Sequence, residues 1–370
     1  MIKVCHMTSA HGTEDVRIFH KECVSLANAG YEVYLVERGE SYDKNGVHIV
    51  GVGDIPKSRR KRMTEGAKRV YQKALELDCD IYHFHDPELL PYGLKLKKHG
   101  KKVIFDSHER YTYQLRDKPY LPRWVTRPMA KAYGLYEKYV LKKIDAVIFP
   151  CTMDGVHPFE GLCKRTPIIS NAAILGEFYD LYSSNAVKGE RQVCYVGGLT
   201  ESRGITADMR AAANAGAVLA LAGDFSSEYQ AKLQRMSEYS CVDYRGKLDR
   251  KQVADLLLQS RVGLCTLMNR GQYLHLDTFG IKVFEYMSMA LPVILSKSKF
   301  NCRMVEQYQF GICVNPDDVD EIANAIRYLL DNPEEARRMG ENGRRAVEQE
   351  FNWGVEEKKL LKLYREILND

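Results

Sequence analysis

No stretch of the 370 residues strings together the roughly 18 apolar side chains that a membrane-crossing helix needs, and MIKVCHMTSA lacks the apolar block of a secretory leader. The chain is therefore expected to stay in the cytoplasm or on the inner face of the cytoplasmic membrane. C-x-x-C pairs are missing as well. The ten cysteines (5, 23, 79, 151, 163, 194, 241, 265, 302 and 313) fall mostly in apolar, β-rich runs, which suggests reduced core thiols rather than a zinc site or a disulfide framework. Short-period repeats and low-complexity tracts are also lacking, and a solenoid or a disordered tail is not expected.

What is present is length and alternation. A chain of 370 residues exceeds one ordinary core and fits two domains of roughly 150 to 200 residues. In the first half, strand-like MIKVCHMTS, YEVYLVE, IYHFH, KKVIFDSH and DAVIFP alternate with helical patterns, the first of which, FHKECVSLANAG, ends at Gly30. A second series, RQVCYVGGL, AVLALAGDF, VDYRG, VGLCTL, LPVILS and ICVNP, alternates with helices such as DRKQVADLLLQS. The fold class is α/β: two Rossmann-like parallel-sheet domains facing a cleft, with ligands at the carboxyl ends of strands and charged helices from about Asp318 onward. The expected boundaries are 1–168 for the first domain, 169–190 for a linker, 191–350 for the second, and 351–370 for a terminal helix packing back toward the first.

Two stretches of the second half suit a phosphate. VCYVGGLTESRGI (193–205) delivers Gly197 and Gly198 into a turn and places Arg203 before a helix; exposed N–H groups plus a guanidinium cradle an anion. A tight strand-to-helix turn with a solvated Arg reads equally well. DTFGIKVFEYMSMALPVILS (277–296) starts a helix near Gly280 with Lys282 in its first turn, where a cation is otherwise unfavourable. Glu285 has the chemistry to accept two hydrogen bonds from a ribose diol, and Asp277 could hold sugar hydroxyls. The plainer alternative is that Asp277 caps the helix and Glu285 sits in an ion pair.

In the first half, HFHDPE (83–88) offers His83, His85 and Asp86. On a strand, Asp86 points away from the two histidines, and no third ligand is anchored elsewhere in the sequence, so no metal is expected. His85 and Asp86 end a strand where an acceptor could bind. Asp15 and Arg17 read most simply as a local ion pair shaping a loop, with an acceptor role as the alternative.

Taken together, these motifs resemble the GT-B fold, family 4 retaining glycosyltransferases. DTFGIKVFEYMSMALPVI is similar to that family's E-x7-E nucleotide-sugar signature, with Asp277 and Glu285 in the two carboxylate positions, and VCYVGGLTESRGI is similar to its phosphate loop. HMTSAHGTEDVRIFHKECVSLANAGYEVYLV, HFHDPELLP and FDSHE look like its N-terminal segment and its second and third strand ends. The resemblance implies that Gly12, Gly198, Arg203 and Lys282 serve the donor diphosphate and Glu285 its ribose. Asp277, with Thr278, Phe279 and Gly280, would serve the transferred sugar. His108 and Asp277 would then stand at the reaction centre, His108 orienting groups rather than attacking. Two departures stand out: Asp277 is one methylene shorter than the usual Glu, and Gly198 occupies a position where many members have Arg.

A nucleotide-sugar donor, UDP-linked in preference to GDP-linked, is implied, with a lipid-linked or oligosaccharide acceptor of bacterial capsule, exopolysaccharide or O-antigen synthesis. No cofactor or metal is expected, because Arg203, Lys282 and a helix N-terminus can stand in for an ion. The alternatives are a nucleotide-sugar epimerase or hydrolase and a non-catalytic binding subunit. Charge adds a surface. Residues 1–170 carry 29 Lys+Arg against 21 Asp+Glu, while the rest carry 25 against 28. Residues 56–73 hold eight basic side chains, and 110–143 hold nine, interleaved with Tyr and Trp. That pattern fits an anionic membrane surface better than nucleic acid.

Overall fold

The computed structural model describes residues 1–56, 58–116, 122–184, 186–268 and 275–370. Of the basic and aromatic surface residues singled out above, Lys57, Lys118, Tyr120 and the side chains of Arg59 and Arg123 lie outside the described residues. The chain divides into two compact units, Met1–Asn171 with Gly354–Asp370, and Ala172–Trp353.

The first unit is built on a seven-stranded sheet. Its strands are β1 (Lys3–Met7), β2 (Glu32–Glu37), β3 (Tyr42–Lys44), β4 (Val47–Gly51), β5 (Ile81–Phe84), β6 (Lys102–Asp106) and β7 (Ala146–Ile148), in the order β3-β4-β2-β1-β5-β6-β7. All pairings are parallel except β3 with β4. β1, β5 and β7 are almost wholly buried, as expected for strands covered on both faces. The β3–β4 hairpin is an addition to the expected alternation. Polar YDKNGVHIV gives it only a weak apolar signal, and β3 is exposed throughout. The first helix opens with π geometry over Val16–Cys23 and continues as Val24–Asn28.

The second unit carries a six-stranded sheet: β8 (Gln192–Val196), β9 (Val218–Ala222), β10 (Val242–Tyr244), β11 (Val262–Cys265), β12 (Val293–Ser296) and β13 (Gly311–Val314). Their order is β10-β9-β8-β11-β12-β13, parallel throughout. Alternation along β8 serves two layers. Val193 and Tyr195 share a core with Ile205, Met209 and Ile322, whereas Cys194 shares one with Leu257 and Tyr286.

The contacts place the division after Asn171, so most of 169–190 belongs to the second unit rather than to a linker. The reason is packing. Ala173 bridges to Asn352, Phe178 is buried, and Arg344 donates to the Tyr179 carbonyl at 2.8 Å. The helix Trp353–Leu368 buries Leu360, Leu363, Tyr364 and Ile367, and from Gly354 onward it belongs to the first unit.

Candidate nucleotide-sugar site

In the second unit, three loops meet at the carboxyl ends of the strands. The turn after β8 is pulled tight against the one after β9. Gly197 donates to the Ala222 carbonyl at 2.8 Å, and Gly223 adopts φ +143°, where a Cβ would fall on the Gly197 carbonyl oxygen. Gly204 (φ +83°) starts the helix Ile205–Asn214, and a Cβ there would strike the Thr266 carbonyl. Arg203 closes the short turn between these points.

Lys282 lies in the first turn of the helix Ile281–Ser288, whose N-cap is Gly280. Its ammonium donates to the Tyr195 hydroxyl at 2.7 Å, sits 4.0 Å from the centre of that ring, and would touch a Cβ placed at Gly197. Burial lowers its pKa, and the neighbouring Arg203 charge adds to the effect. The Gly197 turn, Arg203 and Lys282 thus come together as the sequence predicts, with exposed Gly198 beside them accepting from the Tyr195 hydroxyl at 3.2 Å. A cavity of about 130 Å³ adjoins this point, lined among others by Arg203, Cys265, Thr278, Phe279, Gly280 and Asn301. Asp277 is half-buried and falls in sequence between the lining residues Leu276 and Thr278.

Glu285 faces a partner that the sequence did not reveal. Arg250 donates to its Oε1 at 2.6 Å while also binding Glu177 and stacking on Phe178. Burial raises the Glu285 pKa against the pull of Arg250. The ion-pair alternative for Glu285 is therefore realised, and its second oxygen is left for another donor. Asp208 is also new. It is fully buried, accepts from the Thr266 hydroxyl through Oδ1, and has no hydrogen-bond partner at Oδ2. Burial pushes it up to about 7.

The first unit gathers histidines and carboxylates at the ends of β1, β5 and β6, beside a cavity of about 360 Å³ lined among others by His11, Arg62, His85, Asp86, Glu88 and His108. His108 is half-buried, with Nε2 3.0 Å from Asp106 and 3.2 Å from His85 Nδ1. Gly12 follows His11 in the loop after β1, and a Cβ there would touch Arg38. Asp86 points to this loop, away from the histidine face. It accepts from the Thr8 hydroxyl (2.8 Å) and the Ser9 N–H (2.6 Å) and pairs with His11 at 3.1 Å. Burial would raise Asp86, but His11 and these donors hold it down at about 2. Much of its accepting capacity serves the loop, and it holds His11 beside the cavity that both residues line.

Two expectations are corrected here. Asp15 and Arg17 do not pair. Asp15 caps the helix, accepting from the Arg17 and Ile18 N–H groups at 2.9 and 3.1 Å. Arg17 turns inward, 3% exposed, to hold Asp106 through two bonds of 2.7 and 3.0 Å and the Ile169 carbonyl at 3.1 Å. An interior salt bridge bridging 89 positions prevails over the local one, and a buried guanidinium is out of reach of an acceptor. The argument that His83 and His85 have no further ligand nearby also fails. His6 lies directly opposite His83 in the sheet, and Glu22 approaches from the helix. His11, Asp106 and Glu22 were missed as site residues; the closeness of His11 to Gly12 and of Asp106 to His108 in FDSHE was visible in sequence, whereas Glu22 gave no such signal.

The profile described as Glycosyl transferases group 1 matches residues 181–346, and that of Glycosyltransferase Family 4 matches 17–154. Over 132 residues the chain is 27% identical to a Corynebacterium glutamicum GDP-mannose-dependent monoacylated alpha-(1-6)-phosphatidylinositol monomannoside mannosyltransferase, covering 35% of this chain and 34% of the relative. The chain spans no more than 34% of the length of the first curated relatives it matches. Among solved structures, a sucrose-phosphate synthase from Thermosynechococcus elongatus superposes with TM-score 0.77 at 19% identity, each chain covered fully at 100%. Anabaena HepE, solved with UDP and glucose, gives 0.72 at 14%, covering 99% of this chain and 100% of its own. These likenesses show the GT-B fold. The chain belongs to the group 1, family 4 glycosyltransferases.

Proposed function

We propose that the protein transfers a sugar from a nucleotide-sugar donor to an acceptor hydroxyl with retention of anomeric configuration. The observation that carries this reading is the half-buried Lys282 ammonium held beside Arg203, the Gly197 turn and a helix N-terminus. When the bond from the anomeric carbon to the diphosphate breaks, its electron pair goes to the phosphate oxygen, so fixed positive charge at that oxygen stabilises the transition state. In a front-face route the departing phosphate takes the proton of the attacking hydroxyl, and the protein supplies no nucleophile. Glu285 binds the ribose through the oxygen left by Arg250, and Asp277 with Thr278 takes the sugar hydroxyls. His108, oriented by Asp106, positions groups on the first unit's side.

UDP is the favoured base, in line with the UDP complex of the Anabaena relative, although the Corynebacterium relative is named for GDP-mannose. The acceptor is read as lipid-linked, within bacterial surface polysaccharide synthesis. Support comes from the helix Arg123–Leu141, which exposes Trp124, Leu135 and Tyr139 beside Arg127, Lys131 and Lys138. Exposed Arg60, Lys61, Lys68 and Arg69 add positive charge. Among the described residues no helix is long and apolar enough to cross a membrane; the contact proposed here is peripheral. The test is release of nucleoside diphosphate from a panel of UDP- and GDP-sugars, with and without membrane lipid extract. Extract-dependent release from one donor establishes the transferase. Release that ignores the extract supports a hydrolase, and binding with no release under any acceptor supports a binding subunit.

A further inference from the structure

We propose that His6, Glu22, His83 and His85 form a closed divalent-metal site, of a kind suited to Zn²⁺, in the interior of the first unit. The four donor atoms lie within 4.8 Å of one another. Glu22 Oε2 is 3.9 Å from His6 Nδ1, 3.8 Å from His83 Nε2 and 4.0 Å from His85 Nε2, and the His6 and His85 nitrogens are 3.0 Å apart. A tetrahedral Zn²⁺ with ligands at about 2.0 to 2.1 Å sets neighbouring donors about 3.3 Å apart. The four atoms need close by only a few tenths of an ångström on average to reach that figure.

The surroundings fit a metal better than a plain polar core. All four side chains are 0–2% exposed, yet both Glu22 oxygens and His83 Nε2 have no hydrogen-bond partner. An ion at the centre satisfies these groups together. The outward nitrogens are already held. His6 Nε2 and His83 Nδ1 meet the Tyr364 hydroxyl at 3.2 and 2.9 Å, and His85 Nδ1 meets Asp106 at 3.3 Å. Such outer partners fix the ring orientation and tautomer of metal-bound histidines. Arg17, engaged bidentately by Asp106, also pairs with Glu22 Oε1 at 3.1 Å, and Glu22 Oε2 is the oxygen turned toward the three imidazoles. Three imidazoles are borderline donors that favour zinc over magnesium or calcium, and a single carboxylate is compatible with zinc.

With four protein donors and no open position, the ion would be structural. It would tie β1 to β5 and to the helix Val16–Cys23, with Tyr364 of the terminal helix in its outer shell. The site adjoins the proposed reaction centre through Asp106, which meets both His85 and His108. The test uses full-length protein purified without a histidine tag. Elemental analysis is expected to find about one zinc per chain after dialysis, falling to roughly a tenth in Glu22→Gln and His83→Gln. Because those variants could misfold, the wild type is also unfolded with chelator and refolded with Co²⁺, Zn²⁺ or no metal. The visible bands of tetrahedral Co²⁺ and a thermal midpoint several degrees higher with Zn²⁺ are expected. Stoichiometric zinc retained by both variants would place the ion elsewhere and overturn the proposal. So would a wild type with no bound metal, no Co²⁺ bands and an unchanged midpoint.

Discussion

A cation in the first turn of a helix opposes the helix dipole, and Lys282 is also half-buried and repelled by Arg203. Its contacts with the Tyr195 hydroxyl and ring offset part of that cost, and a bound anion would offset the rest. Lys282→Ala should therefore cost the enzyme on the order of 10²- to 10³-fold in kcat while leaving the thermal midpoint unchanged or raised, as measured by nucleoside diphosphate release beside thermal unfolding. Such a trade of stability for activity is characteristic of functional sites. Asp208 makes a second residue-scale case. Its folded pKa, about 7, lies above the ordinary 3.8. The folded state thus holds a proton that the unfolded state has lost, and stability declines as pH rises from about 3.8 to about 7, with no further loss above. Asp208→Asn should remove this decline. Relative to wild type, its unfolding midpoint should be raised more at pH 8 than at pH 5, and an identical gain at both would sink the assignment.

At the scale of elements, the phosphate loop depends on two backbone approaches that admit no side chain, at Gly223 and Gly204. Gly223→Ala should destabilise the second unit by roughly 2 to 4 kcal/mol through a positive-φ penalty and displacement of the Gly197 turn, read as a lower urea midpoint with an unchanged slope. The strands were legible in sequence because a doubly covered parallel strand must be apolar along its length, and RQVCYVGGL or LPVILS can hardly be read otherwise. The phosphate loop was legible because its parts are close in sequence. Three features were not. Arg17 and Asp106 are separated by 89 positions, as are Glu22 and His83 by 61, and such pairings depend on which strands become neighbours. Arg250 reaches Glu285 only because the helix Arg250–Gln259 packs beside Ile281–Ser288. In the β3–β4 hairpin only β4 alternates, burying Val47 and Ile49 around exposed His48, while β3 is polar and exposed, so hydrophobic periodicity could not report the pair.

At the scale of the whole molecule, the surface of the first unit combines exposed Trp124, Leu135 and Tyr139 with basic neighbours. Replacing Trp124 and Leu135 together by Glu should reduce binding to anionic vesicles at least about tenfold, because both the apolar and the electrostatic contributions fall. Neutral vesicles should bind wild type and variant alike only weakly. Deletion of 354–370 is expected to be far more damaging. Leu360, Leu363, Tyr364 and Ile367 are each at most 3% exposed, and burying four such side chains is worth roughly 6 to 12 kcal/mol, comparable to the stability of a whole domain. Loss of soluble protein on expression is the anticipated result.

That terminal helix also fixes a timetable. A ribosome makes the first unit's sheet early, but its last buried layer is made only after all of the second unit has been translated. The second unit, encoded in one uninterrupted stretch, can complete its core first. The nascent first unit must meanwhile wait with an unfilled groove over His6, His83 and Tyr31, so the interval before residues 354–370 emerge is when it is most open to chaperone capture or misassembly.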